Sequence, residues 1–76
     1  MSGLPILSGT ELCKTLKKIG YEIDHQKGSH IVVRNINPPF RRLTIPNHKQ
    51  IAKGTLRTII RQTGLTLDEF INIINK

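Results

Sequence analysis

Tyr21-Glu22-Ile23-Asp24-His25-Gln26-Lys27-Gly28-Ser29-His30-Ile31-Val32-Val33-Arg34 decides the fold of this 76-residue chain. Two short runs with strand patterning flank a Lys27-Gly28-Ser29 turn, and that arrangement specifies a hairpin. In the first run, Tyr21 to Gln26, alternation sets Tyr21, Ile23 and His25 on one face and Glu22, Asp24 and Gln26 on the other, as in a half-buried strand. The second run, His30 to Arg34, is β-branched. Period two places His30, Val32 and Arg34 on one face and Ile31 and Val33 on the other, and the pattern leaves open which of the two meets water.

Downstream, Asn35-Ile36-Asn37-Pro38-Pro39 breaks the strand, because two successive prolines remove two amide donors and bias the preceding residue away from helix. Phe40 to Ile45 reads as a third strand, ended by Pro46. A basic connector, Asn47 to Lys53, follows. A helix then opens near Gly54-Thr55 with Leu56, Ile59, Ile60 and Thr63 on its inner face, and Gly64 closes it. Thr66 and Glu69 have capping-box spacing, which predicts a last helix with Leu67, Phe70, Ile71 and Ile74 as its apolar stripe.

Upstream, Met1 to Leu7 is a lead-in interrupted by Pro5. Ser8 and Glu11 repeat the capping-box spacing, with Leu7 and Leu12 as the staple. Leu12, Cys13, Leu16 and Ile19 form one stripe, and Gly20 ends the helix. The order α-β-β-β-α-α predicts an α+β, two-layer domain: a three-stranded antiparallel sheet with helices on one face.

Residues 1–76 are expected to form one small domain. Cys13 is the only cysteine, so no intrachain disulfide is possible and Cys-rich zinc sites are excluded. On the helix stripe it reads as core filler. No run approaches the ~20 apolar residues of a membrane span, so the expectation is a cytoplasmic protein without a membrane partner. Twelve Lys and Arg against five Asp and Glu give a net charge of +7, with a sequence pI near 10.2. Such a field attracts polyanions, nucleic acid first among them, and would serve an acidic protein partner equally well.

An imidazole at the mouth of an apolar strand, with Lys27 before it and Arg34 beyond it, suggests proton transfer on a phosphate backbone. An exposed hairpin histidine explains the same pattern without chemistry. Arg57 and Arg61 stack at i and i+4, a repulsion that a phosphate would relieve and that solvent also tolerates.

Several motifs in order, Leu7-Ser8-Gly9 with Glu11-Leu12, Leu16 to Tyr21, Lys27 to His30, Leu43 to His48, Lys53 to Arg57 and Gly64-Leu65, resemble the HicA family, the small mRNA interferase toxins also called YcfA-like proteins. The resemblance spans nearly the whole chain. It implies a double-stranded-RNA-binding-domain-like fold, ribosome-independent cleavage of mRNA, neutralisation by a HicB-type antitoxin, and catalysis by the histidine of the Gly-Ser-His motif, His30 here.

The residues permit such chemistry without a metal or other cofactor. Glu11 and Glu69 are committed to caps, and Glu22 with Asp24 makes a poor case for a two-metal nuclease. RNA brings its own nucleophile, the 2′-hydroxyl, so the protein need only move protons and stabilise charge. His30 is the candidate base or acid. His48 is either the second proton carrier or a loop histidine that caps or binds phosphate, and His25 reads as structural or surface. Lys27, Ser29, Arg34, Lys49, Lys53, Arg57 and Arg61 are candidates for RNA contacts. A non-catalytic double-stranded-RNA-binding module would share the charge and fold, as would a DNA-regulatory piece, although no helix-turn-helix pattern is evident.

Overall fold

A computed structural model describes residues 3–75. The elements are α1 (Gly9–Lys17), β1 (Tyr21–Lys27), β2 (His30–Asn35), β3 (Arg42–Pro46), α2 (Lys53–Thr63) and α3 (Leu67–Ile74). They realise the α-β-β-β-α-α order and the α+β class, with one antiparallel sheet in the order β1-β2-β3. Of the lead-in expected over 1–7, residues 1 and 2 lie outside the described stretch, and 3–7 carries no helix or strand.

Both capping boxes form. Ser8 Oγ accepts from the Glu11 amide at 3.1 Å while Glu11 accepts from the Ser8 amide at 2.8 Å, and Thr66 and Glu69 reproduce the pair at the same two distances. These bonds satisfy amide donors that a helix start otherwise leaves bare. Two cations serve the other ends: Lys18 Nζ donates to the Ile73 carbonyl at 3.0 Å and Arg41 Nη1 to the Gln62 carbonyl at 3.1 Å.

Leu12 and Leu16 of α1, Leu56, Ile59 and Ile60 of α2 and Phe70 of α3 pack onto Ile31, Val33, Leu43 and Ile45. Each such side chain contributes roughly 1.5–3 kcal/mol by leaving water. The helices therefore cover the Ile31/Val33 face, and the His30/Val32/Arg34 face is left open, which answers what period two left undecided.

Each strand runs one residue further at its C-terminal end than its sequence pattern predicts, to Lys27, Asn35 and Pro46, and three other boundaries differ. The third strand starts at Arg42, not Phe40, because Phe40 adopts φ +60 and turns the chain. Helix α2 starts at Lys53, with Ala52 at a cap position that has no side-chain hydrogen bond. Helix α1 stops at Lys17 with Lys18 as its C-cap, and tighter i→i−3 bonds lead to Gly20 at φ +96.

The larger correction concerns β1. Ile23 pairs with Val33 and His25 with Val32, so Asp24 is an extra, bulged residue. Ile23 and His25 therefore do not share a face. Nor is the strand half-buried: Tyr21 is buried, and every residue from Glu22 to Lys27 is exposed. Lys27 pairs with His30 across the Gly28-Ser29 loop, so an unbroken ladder would set Tyr21 and Ile23 on the open face with His25 and Lys27. One inserted residue moves Tyr21 into the core and keeps the polar pair in water. Ile23 also turns to the helix side, but at the sheet edge it stays 64% exposed, in a groove of about 610 Å³ shared with Cys13, Lys14 and Lys17.

Candidate active site

The open face is ruled by three cross-strand rows. Lys27, His30 and Pro46 form the first, His25, Val32 and Thr44 the second, and Glu22, Arg34 and Arg42 the third. His30 is exposed at the end of β2, next to the hairpin loop. Gly28 holds φ +59 at the first position of that two-residue loop, the conformation such hairpins demand there.

The segment after β3 is fastened to the same corner. The Asn47 amide donates to the Ser29 carbonyl at 2.6 Å, and the Gly9 amide donates to the His48 carbonyl at 2.9 Å. A Cβ on Gly9 would lie 2.4 Å from the Pro46 carbonyl oxygen, so glycine is what lets this loop rest on the first turn of α1. Lys27, Ser29, His30 and the backbone carrying His48 are thus brought together at one end of the sheet. Lys49 continues from that corner and Lys53 begins α2, all of them exposed.

Arg34 lies two rows away, its guanidinium 4.8 Å from the centroid of the Phe40 ring. Arg57 and Arg61 are not part of this arrangement. They line a cleft with Leu4, Ile60, Leu65 and Leu67 in the helical layer, behind the sheet.

The bulge carries a pair that local strand alternation does not reveal. His25 Nδ1 lies 2.9 Å from Asp24 Oδ2, and Arg42 Nε lies 3.7 Å from the same oxygen. The hydrogen bond from His25, with the nearby Arg42 and Arg34 charges, holds the Asp24 carboxyl below its ordinary range. A signal for it was present: Tyr21 and Ile23 share the phase of His25 and Lys27, so burying Tyr21 requires a slip in register. Among the described residues no three His, Cys, Asp or Glu side chains gather as a metal site, and no helix is long and apolar enough to cross a membrane.

The family model for the HicA toxin of bacterial toxin-antitoxin systems matches residues 9–65 of the 76. The chain belongs to the HicA toxin family. The matched span opens at Gly9 beneath the Pro46–His48 loop and runs past Gly64, so it contains the whole corner around His30 and all three strands. HicA toxins are RNases as a family, which makes this chain the toxin half of a toxin-antitoxin pair and implies a cognate antitoxin. No curated protein matches the chain.

Proposed function

We propose that this HicA toxin is an endoribonuclease that cuts mRNA through the RNA's own 2′-hydroxyl, with His30 as a proton-transfer residue. The observation that carries the reading is the position of His30: exposed, on the uncovered sheet face, opposite Lys27 and beside a loop fastened by Ser29 and Gly9. A ribose-phosphate strand lying on this face meets an imidazole with a cation next to it. Removing the 2′-OH proton lets O2′ attack phosphorus, the P–O5′ bond breaks, and O5′ takes up a proton. The products are a 2′,3′-cyclic phosphate and a 5′-hydroxyl.

Carboxylates are poorly placed to do this work. Glu11 and Glu69 each serve a helix cap, Asp68 lies in the first turn of α3, Asp24 is engaged by His25 and Arg42, and Glu22, although on the open face, stands two rows from His30 in the row of Arg34 and Arg42. Imidazoles are left as the groups able to take and give a proton near neutrality. Lys27, Ser29, Arg34, Lys49 and Lys53 supply contacts to the strand. The protein acts in the cytoplasm, where mRNA is met, and a HicB-type antitoxin of acidic character neutralises it by covering His30 and the cations around it.

The test is incubation of RNA and of matched DNA with the protein in EDTA. Wild type is expected to leave cyclic-phosphate ends on RNA and to spare DNA, and His30→Ala to lower the rate by about 10²–10⁴-fold while retaining RNA affinity. Binding without cleavage by the wild type would instead identify a non-catalytic RNA-binding module.

A further inference from the structure

We propose that His25, oriented by Asp24 at the β1 bulge, is the second proton-transfer residue of this site, taking the 2′-hydroxyl proton while His30 protonates the leaving O5′. The inference rests on the nuclease reading above and adds the group that reading lacks. Transesterification needs one proton removed on one side of the phosphorus and one delivered on the other, so two carriers must flank a single phosphodiester.

The strand register places two imidazoles in that relation. His25 is directly opposite Val32, and His30 is two residues from Val32 on the same face. Such diagonal neighbours lie about 7–8 Å apart, which leaves room for a phosphodiester between the rings. Without the extra residue at Asp24, His25 would keep this place, but Tyr21 would be forced out of the core. The bulge reconciles the two and also turns Asp24 toward its neighbour.

Asp24 Oδ2 accepts from His25 Nδ1 at 2.9 Å, and Arg42 Nε braces the same oxygen from β3 at 3.7 Å. With Nδ1 as donor, Nε2 is the bare acceptor and points away from the carboxylate, the state a general base requires. Proton uptake from O2′ then creates an imidazolium beside a carboxylate, a favourable pair. The charged or titratable groups on the open face around His25 are Glu22, Asp24 and Lys27 on β1, His30 and Arg34 on β2 and Arg42 on β3. His30 has Lys27 directly opposite it, which sets a cation beside the phosphate whose leaving oxygen His30 serves. Bond changes balance: O2′–P forms, P–O5′ breaks, one proton goes to His25 and one leaves His30.

The experiment compares wild type, His25→Ala, His25→Gln, Asp24→Asn, His30→Ala and His48→Ala on two substrates, RNA and a ribonucleoside 3′-(4-nitrophenyl phosphate), whose leaving group needs no proton. On RNA, His25→Ala and His25→Gln are expected to lose about 10²–10⁴-fold in rate and the low-pH limb of the rate profile. Affinity for a 2′-O-methyl RNA should be unchanged, and Asp24→Asn should displace that limb. On the aryl ester, His30→Ala should regain activity and the His25 variants should not. Either of two results overturns the inference: His25 variants that keep both limbs while His30→Ala is inactive, or loss of the low-pH limb in His48→Ala in their place. In both cases the nuclease reading would survive, whereas wild type leaving RNA intact would remove that reading and this inference with it.

Discussion

Gly9 and Gly28 stand on either side of the His30 corner, and each is glycine for a different reason. At Gly9 the obstacle is another backbone: a Cβ would meet the Pro46 carbonyl oxygen at 2.4 Å and the Asn47 Cα at 2.9 Å. Alanine ordinarily favours a helix over glycine by roughly 1 kcal/mol, but a clash with main chain does not yield to a rotamer change. Gly9→Ala is therefore expected to destabilise the fold by about 1–3 kcal/mol and to push the Pro46–His48 loop off α1. At Gly28 a Cβ would meet nothing within 4 Å, and the position is constrained only by φ +59. Gly28→Ala should cost about 1–2 kcal/mol of backbone strain, and Gly28→Asn less. Urea titration of the three variants distinguishes the cases: equal losses for Gly28→Ala and Gly28→Asn would show that strain is not what Gly28 relieves.

At the scale of the elements, what the sequence disclosed was whatever depends on near neighbours. The pairs Ser8 with Glu11 and Thr66 with Glu69 marked two helix starts because a cap is a contract between residues three apart. The Lys27–His30 turn was legible for the same reason. The bulge at Asp24 was not, since local alternation reads identically with or without it, and only the need to bury Tyr21 selects the slip. Its energetic mark is testable with two isoleucines. Ile31→Ala removes a side chain only 3% exposed and should cost about 2–5 kcal/mol. Ile23→Ala, on the same sheet face but 64% exposed, should stay within about 0.5 kcal/mol of wild type; comparable losses would mean Ile23 is covered in solution. The caps carry a pH signature. Glu11 and Glu69 are held below their ordinary pKa chiefly by the backbone amides of Ser8 and Thr66, and Asp24 chiefly by His25. Groups with a lowered folded pKa stabilise fully above their unfolded values, about 4, and that contribution vanishes as pH falls through the folded ones. Melting temperature should hold from neutrality to about pH 5 and drop below about pH 4, less steeply in a Ser8→Ala, Thr66→Ala variant. Each cap lost should itself cost about 1 kcal/mol.

Across the whole molecule, a net charge of +7 would attract a polyanion or an acidic protein without saying where it would lie, and the fold distributes those charges unequally. Lys18 and Arg41 are engaged at helix ends. Arg57 and Arg61 sit behind the sheet, whereas Lys27 and Arg34 rise from the open face, Lys27 in the same row as His30 and Arg34 two rows along β2. If RNA lies on that face, the salt dependence of binding records which cations it touches. Each phosphate neutralised on a single strand contributes about −0.7 to the slope of log K against log salt. With Lys27, Arg34, Lys49 and Lys53 engaged, the slope is about −3, and affinity falls roughly 50-fold between 50 and 200 mM salt. Lys27→Ala and Arg34→Ala should each make the slope shallower by about 0.7, and Arg57→Ala with Arg61→Ala should leave it unchanged. The measurement uses uncleavable 2′-O-methyl RNA, so it is independent of which imidazole moves which proton. A slope that responds to Arg57 and Arg61 but not to Lys27 and Arg34 would move the RNA to the helical layer, out of reach of His30, and no proton carrier on the sheet could then act on it.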